Sequence, residues 1–84
     1  MISPSQCRAA RGLLDWSQHE LAKQSRVGIV TVRQLESAKH ESRRATLQVV
    51  RQALEAAGVE FIDENGGGAG VRLRKPGKSK PRTG

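Results

Sequence analysis

The chain has little cysteine and little aromatic character, and each scarcity excludes something. A single Cys7 in 84 residues allows no internal disulfide, and no Cys/His cluster has metal-ligand spacing. Both facts fit a reducing, cytoplasmic setting, with no metal and no other cofactor expected. One Trp, one Phe and no Tyr leave too few aromatic platforms to stack the bases of a single strand. No apolar run approaches the roughly 18 residues that cross a bilayer, and the N-terminus lacks a signal-peptide core. No nucleophile–base pair or carboxylate dyad is evident, so an enzyme is not expected. Cys7 itself reads as a small core residue.

What is abundant is positive charge. The net charge of +7 and the sequence pI of about 10.8 favour a polyanionic partner. Its distribution is uneven. Residues 72–84 hold six of the fifteen basic side chains (Arg72, Arg74, Lys75, Lys78, Lys80, Arg82) and no acid. The remaining 71 residues carry nine basic against eight acidic side chains. Total charge therefore does not make the folded body a nucleic-acid binder, and that case must rest on a motif.

Local signals mark the helices. Ser3 and Gln6 are spaced as a capping box, with Pro4 at the favoured first helical position. A helix is predicted from about Pro4 to Leu14, with Cys7, Ala10 and Leu14 inward. Ser17 and Glu20 repeat the box, and Trp16 with Leu21 adds a hydrophobic staple. The next helix then begins at Gln18 and turns Leu21, Ala22 and Ser25 inward. A turn around Arg26 precedes a third helix, with Gly28 as its N-cap and Val32 and Leu35 as its apolar seam. Two short helices joined by a tight turn make a helix-turn-helix.

The pattern Gln18-x-x-Leu21-Ala22, Val27, Thr31-Val32 and Leu35-Glu36 resembles the Cro-repressor type (Xre-like) helix-turn-helix family. The likeness covers roughly residues 5 to 57. One position departs from it. Members usually carry Gly where Arg26 stands, because φ > 0 is needed there; a non-Gly residue costs on the order of 1 kcal/mol.

The resemblance implies a mostly α, four-to-five-helix repressor-like domain that binds double-stranded DNA as a transcription regulator. Ile29, Val30, Arg33 and Gln34 correspond to groove-facing, base-contacting positions. Gln34 suits adenine, Arg33 guanine, and Ile29 or Val30 a thymine methyl. Burial is the plainer reading for Ile29 and Val30, and a phosphate contact or solvent for Arg33. Gln18 matches a backbone-contacting glutamine, at a helix start whose amides favour phosphate. Gly28, Thr31, Ser37, Lys39, His40, Arg43 and Arg44 are further backbone-contact candidates. Arg11 and Glu36 match a pair that forms an internal salt bridge in related repressors and fixes helix orientation. The size resembles small regulators of phages, plasmids and other mobile elements. An antitoxin or anti-activator that binds a protein partner is the second reading, since Ile29 and Val30 would also suit a protein groove.

A fourth helix is predicted from about Arg44 to Ala57, stopped by Gly58, with Leu47, Val50, Leu54 and Ala57 completing the core. Val49, Ala53 and Ala56 form a milder second stripe, suited to a subunit contact. Val59 to Ile62 and Val71 to Arg74 then alternate with period two around a Gly-rich loop, predicting a β-hairpin. The loop lacks the Lys-Ser/Thr ending of a phosphate-binding loop. An isolated hairpin is barely stable, so Val59, Phe61, Val71 and Leu73 need cover from the helices or from a second chain. The expected organisation is a DNA-binding domain at 1–58, a hairpin at 59–74 that helps form a homodimer, and a disordered basic tail at 75–84.

Overall fold

Ser3 and Ser17 each cap a helix that starts at the following residue, and Gly28 holds the N-cap position of a third without a side-chain bond. The computed structural model describes residues 2–37, 42–63 and 66–74. Helix α1 spans Pro4–Leu14, α2 Gln18–Ser25, α3 Ile29–Glu36 and α4 Arg44–Ala56; strands β1 (Val59–Ile62) and β2 (Gly70–Leu73) follow. The fold is thus mostly helical with one short antiparallel hairpin, the architecture that the residue pattern predicts. The box at Ser3 closes on both sides: Gln6 N donates to Ser3 Oγ (3.1 Å) and Ser3 N to Gln6 Oε1 (2.9 Å). At Ser17 only half of it forms. Glu20 N donates to Ser17 Oγ at 3.0 Å, while the Glu20 carboxylate accepts from Gln24 Nε2, one turn further along.

The α1–α2 and α2–α3 connections are built alike. Asp15 (φ 60°) and Arg26 (φ 62°) are both left-handed, and their N–H groups cap the preceding helix. Trp16 N reaches back to Arg11 O (2.9 Å), and Val27 N to Ala22 O (3.1 Å). This is the Schellman arrangement, which satisfies the last helical carbonyls. Trp16 and Val27 both pack on the core, and each sits just before the N-cap of the next helix. One apolar residue therefore closes one helix and staples the next, which sets α3 against α2 through a connection of three residues, Arg26 to Gly28.

Every helix and β1 contribute to one core: Cys7, Ala10, Leu21, Val32, Val50, Leu54 and Val59 are fully buried. Truncating a leucine at such a site costs about 2–5 kcal/mol. Helix α2 packs on α3 and α4, and α1 packs on α3. In the hairpin, Val59 pairs with Leu73 and Phe61 with Val71, so these four share a face. β2 lies against α1 and β1 against α4, so this chain's own helices supply the cover. Gln6 Nε2 fastens the turn end by donating to Gly70 O (3.0 Å) and Ile62 O (3.4 Å). The Arg51 guanidinium lies 5.1 Å from the centre of the Phe61 ring, within cation–π range.

Several details differ from expectation. Ala57 is exposed rather than core: α4 ends at Ala56, and Gly58 (φ 109°) turns the chain so that Val59 fills the interior instead. Cover also fades along β2, from half-buried Gly70 and Val71 to exposed Arg72 and Leu73. The second strand starts one residue early, at Gly70, although Arg74 N still donates to Gly58 O at 2.7 Å. The tail at 75–84 lies outside the described residues.

Candidate nucleic-acid interface

Helix α3 has two unlike faces. Val32, Leu35 and Glu36 are buried, whereas Val30, Arg33 and Gln34 are exposed and share one stripe by their i, i+3, i+4 spacing. Val30 is 59 % exposed, the most exposed large hydrophobic side chain among the described residues. Ile29 is half-buried and packs against the core, so only part of it faces outward. Neither Arg33 nor Gln34 has a partner for its side chain among the described residues. A bidentate donor fork and an amide are therefore left free beside an apolar contact, a set that can read the edges of base pairs.

Glu36, 4 % exposed at the end of α3, fixes how that helix is held. Arg11 Nε donates to its Oε2 at 2.7 Å and Arg11 Nη2 to its Oε1 at 2.9 Å, the two-pronged geometry of a strong pair. Gln18 Nε2 (3.0 Å) and Cys7 Sγ (3.3 Å) donate to the same carboxylate. Arg8 Nη1 donates to the Glu36 backbone carbonyl, and Arg11 Nη1 to Trp16 O at 3.0 Å. Side chains from α1 and α2 thus converge on one residue of α3. Burial pushes the Glu36 carboxyl up, but hydrogen bonds from Arg11, Gln18 and Cys7, together with the Arg11 charge, outweigh it and hold the group below its ordinary value. Burial, then the Glu36 charge beside it, pushes the Cys7 thiol well up, which keeps it protonated and inert.

The pairing pattern leaves charge where α3 is presented. Arg11, Arg51 and Arg72 are spent on Glu36, Glu55 and Glu60. Arg8 and Arg74 are bonded to backbone carbonyls. The described cations without a partner are Lys23 and Arg26 on α2 and its turn, Arg33 on α3, and Arg43 and Arg44 at the start of α4, all exposed. Near-neutrality of the body by count hides a one-sided result along the chain. Every free described cation belongs to the helix-turn-helix or to the start of α4.

The remaining candidates are placed as follows. Gly28 is exposed, with nothing within 4 Å of where a Cβ would stand. Thr31 is half-buried on α3, and Ser37 is half-buried just past its end. Gln18 is half-buried; one amide N–H serves Glu36, and the second remains for another acceptor. Lys39 and His40 lie outside the described residues. Sequence reasoning missed the roles of Arg8 and Cys7 toward Glu36 and the free Lys23 and Arg26. Arg8 stands one turn before Arg11 on α1, the spacing that could have revealed it. Among the described residues no group of His, Cys, Asp and Glu could hold a metal, and no helix is long and apolar enough to cross a membrane.

A family model described as helix-turn-helix matches residues 8–63, from α1 to just past β1. No curated protein matches the chain.

Proposed function

The chain belongs to the Cro-repressor type (Xre-like) helix-turn-helix family of DNA-binding regulators, and within it we propose a sequence-specific regulator that reads double-stranded DNA with α3 in the major groove. The observation that carries this reading is the exposed stripe of Val30, Arg33 and Gln34, held from behind by buried Val32, Leu35 and Glu36. Gln34 pairs with adenine, Arg33 with guanine, and Val30 covers a thymine methyl; half-buried Ile29 contributes its outer edge. Gln18, with its spare amide N–H, Gly28 and Thr31 at the start of α3, and Ser37, Lys39, His40, Arg43 and Arg44 beyond it contact the backbone. Lys75, Lys78, Lys80 and Arg82 add affinity without sequence preference, while Arg72 and Arg74 are already bonded to Glu60 and the Glu55 carbonyl.

The regulator acts as a two-fold dimer on inverted half-sites about 10 base pairs apart, so that two α3 helices enter successive major grooves on one side. Exposed Leu73 and Val49, 49 % and 42 % accessible, support a subunit contact through the hairpin or α4. Selection from a random DNA pool tests the whole reading, since it returns sequence, symmetry and spacing together. A symmetric motif is expected; an unenriched pool contradicts it.

The exposure of Val30 favours a second reading, a protein-interaction module such as an antitoxin or anti-activator. Recovery of a stoichiometric partner from nuclease-treated lysate, abolished by Val30→Asp, would favour that reading. Loss of all bound material on nuclease treatment favours DNA.

A further inference from the structure

The turn before α3 holds a residue that conformation alone would not select. Arg26 sits at φ 62°, ψ 37°, the left-handed region that L side chains other than Asn and Asp rarely enter. Elsewhere the chain meets this demand with glycine, at Gly58 (φ 109°), Gly66 (φ 102°) and Gly68 (φ 88°), or with Asp15 (φ 60°), a type that tolerates it. The backbone duty at Arg26 is only to cap α2 through its N–H, which glycine performs equally well. Its side chain is exposed and has no acid, carbonyl or ring partner among the described residues. A free cation at a strained position, two residues before the N-cap of α3, points to a use for that cation.

We propose that the Arg26 guanidinium binds a DNA phosphate on the rim of the groove that α3 enters, as a backbone contact additional to those at Gln18, Arg43 and Arg44. This rests on the DNA-binding reading. It makes the turn a trade of folded-state stability for affinity. Glycine there would relax the backbone and lose one ion contact, so the two effects of one substitution have opposite signs.

The test uses the full chain and two duplexes, one selected from a random pool and one of unrelated sequence, titrated by fluorescence anisotropy over a range of salt. Wild type is compared with Arg26→Gly, Arg26→Lys and Asp15→Gly, each first checked by thermal melting. Arg26→Gly is expected to melt higher than wild type. It should bind both duplexes about three- to tenfold more weakly near ~0.15 M salt, with a log–log salt slope shallower by about 0.9. Arg26→Lys should keep the wild-type slope, and Asp15→Gly, which relaxes the twin turn, should bind as wild type does. An Arg26→Gly slope equal to wild type, or an equal loss in Asp15→Gly, overturns the proposal while leaving DNA binding intact. Wild type with no preference for the selected duplex and no salt dependence removes the regulator reading and this contact together.

Discussion

Arg11 on α1 grips Glu36 on α3 with two parallel hydrogen bonds, of 2.7 and 2.9 Å, at a carboxylate almost wholly shielded from water. The pair joins the first helix to the end of the helix that carries the exposed stripe. Its strength lies less in attraction than in what remains if one partner goes: a buried charge without compensation costs about 3–5 kcal/mol. Glu36→Ala should therefore destabilise the fold by several kcal/mol in urea unfolding. Arg11→Ala should cost at least as much, because it leaves the Glu36 charge buried with only Gln18 and Cys7 donating to it, whereas Arg11 itself is partly exposed. A Glu36→Ala protein that unfolds at the wild-type midpoint contradicts this role.

The same pair sets an acid limit. Because the folded-state pKa of Glu36 lies below its ordinary value, the fold gains stability above the usual glutamate range, near ~4.3. That gain is lost as pH falls through the depressed value. Glu60 shifts the same way beside Arg72, but that pair is exposed and salt screens it. Melting at high salt should then show a decline in stability below about pH 4 that Glu36→Gln lacks. Parallel profiles for the two proteins would assign the decline elsewhere.

Cys7 provides a reporter on the same cluster. Buried, protonated and bonded to Glu36, it should react with a maleimide only when the fold opens. The labelling rate should fall by orders of magnitude between denaturant and buffer, and should rise again in Glu36→Ala. Fast labelling of the folded wild type would mean that α1 is not seated as described.

How much of this was legible in the chain follows from how local each cause is. The helix starts were legible because the Ser3 and Ser17 hydroxyls act on amides only three residues away, and because glycine is a permitted N-cap at Gly28, where no side-chain bond forms. The α1 span and the start of α4 coincide with the spans that the residues predicted. The left-handed turn at Asp15 was not legible, since no glycine marks it. Arg26 was recognised only because the resemblance supplied the missing glycine. Ala57 and Leu73 fit the apolar spacing yet are exposed, because spacing does not say where a helix stops or how far its neighbours reach. The stripe of Val30, Arg33 and Gln34 was legible as a set, but Ile29 could not be separated from Val30 until the packing against the core was seen. The free cations needed knowledge of which acids were already taken.

The hairpin changes how dimerisation must be tested. Val59 and Phe61 belong to the core, so ending the chain at Gly58 would damage the fold as well as any interface. Leu73→Asp touches an exposed site instead. In sedimentation equilibrium it should weaken the proposed dimer about tenfold or more and leave melting of the dilute protein unchanged, and a wild type that is monomeric throughout would contradict the dimer itself. An unaltered dimer would move the interface to α4, where Val49→Asp is the corresponding probe.

The central claim is that α3 recognises sequence through the side chains it leaves in solvent, and a binding cycle on Gln34 tests it most directly. Wild type and Gln34→Ala are titrated against the selected duplex and its variants with one base pair changed at a time. One position should cost wild type about 1–3 kcal/mol when changed and cost Gln34→Ala almost nothing, with every other position behaving alike in both proteins. Equal losses for Gln34→Ala at every position and on unrelated DNA would contradict the account, because Gln34 would then add affinity without reading a base.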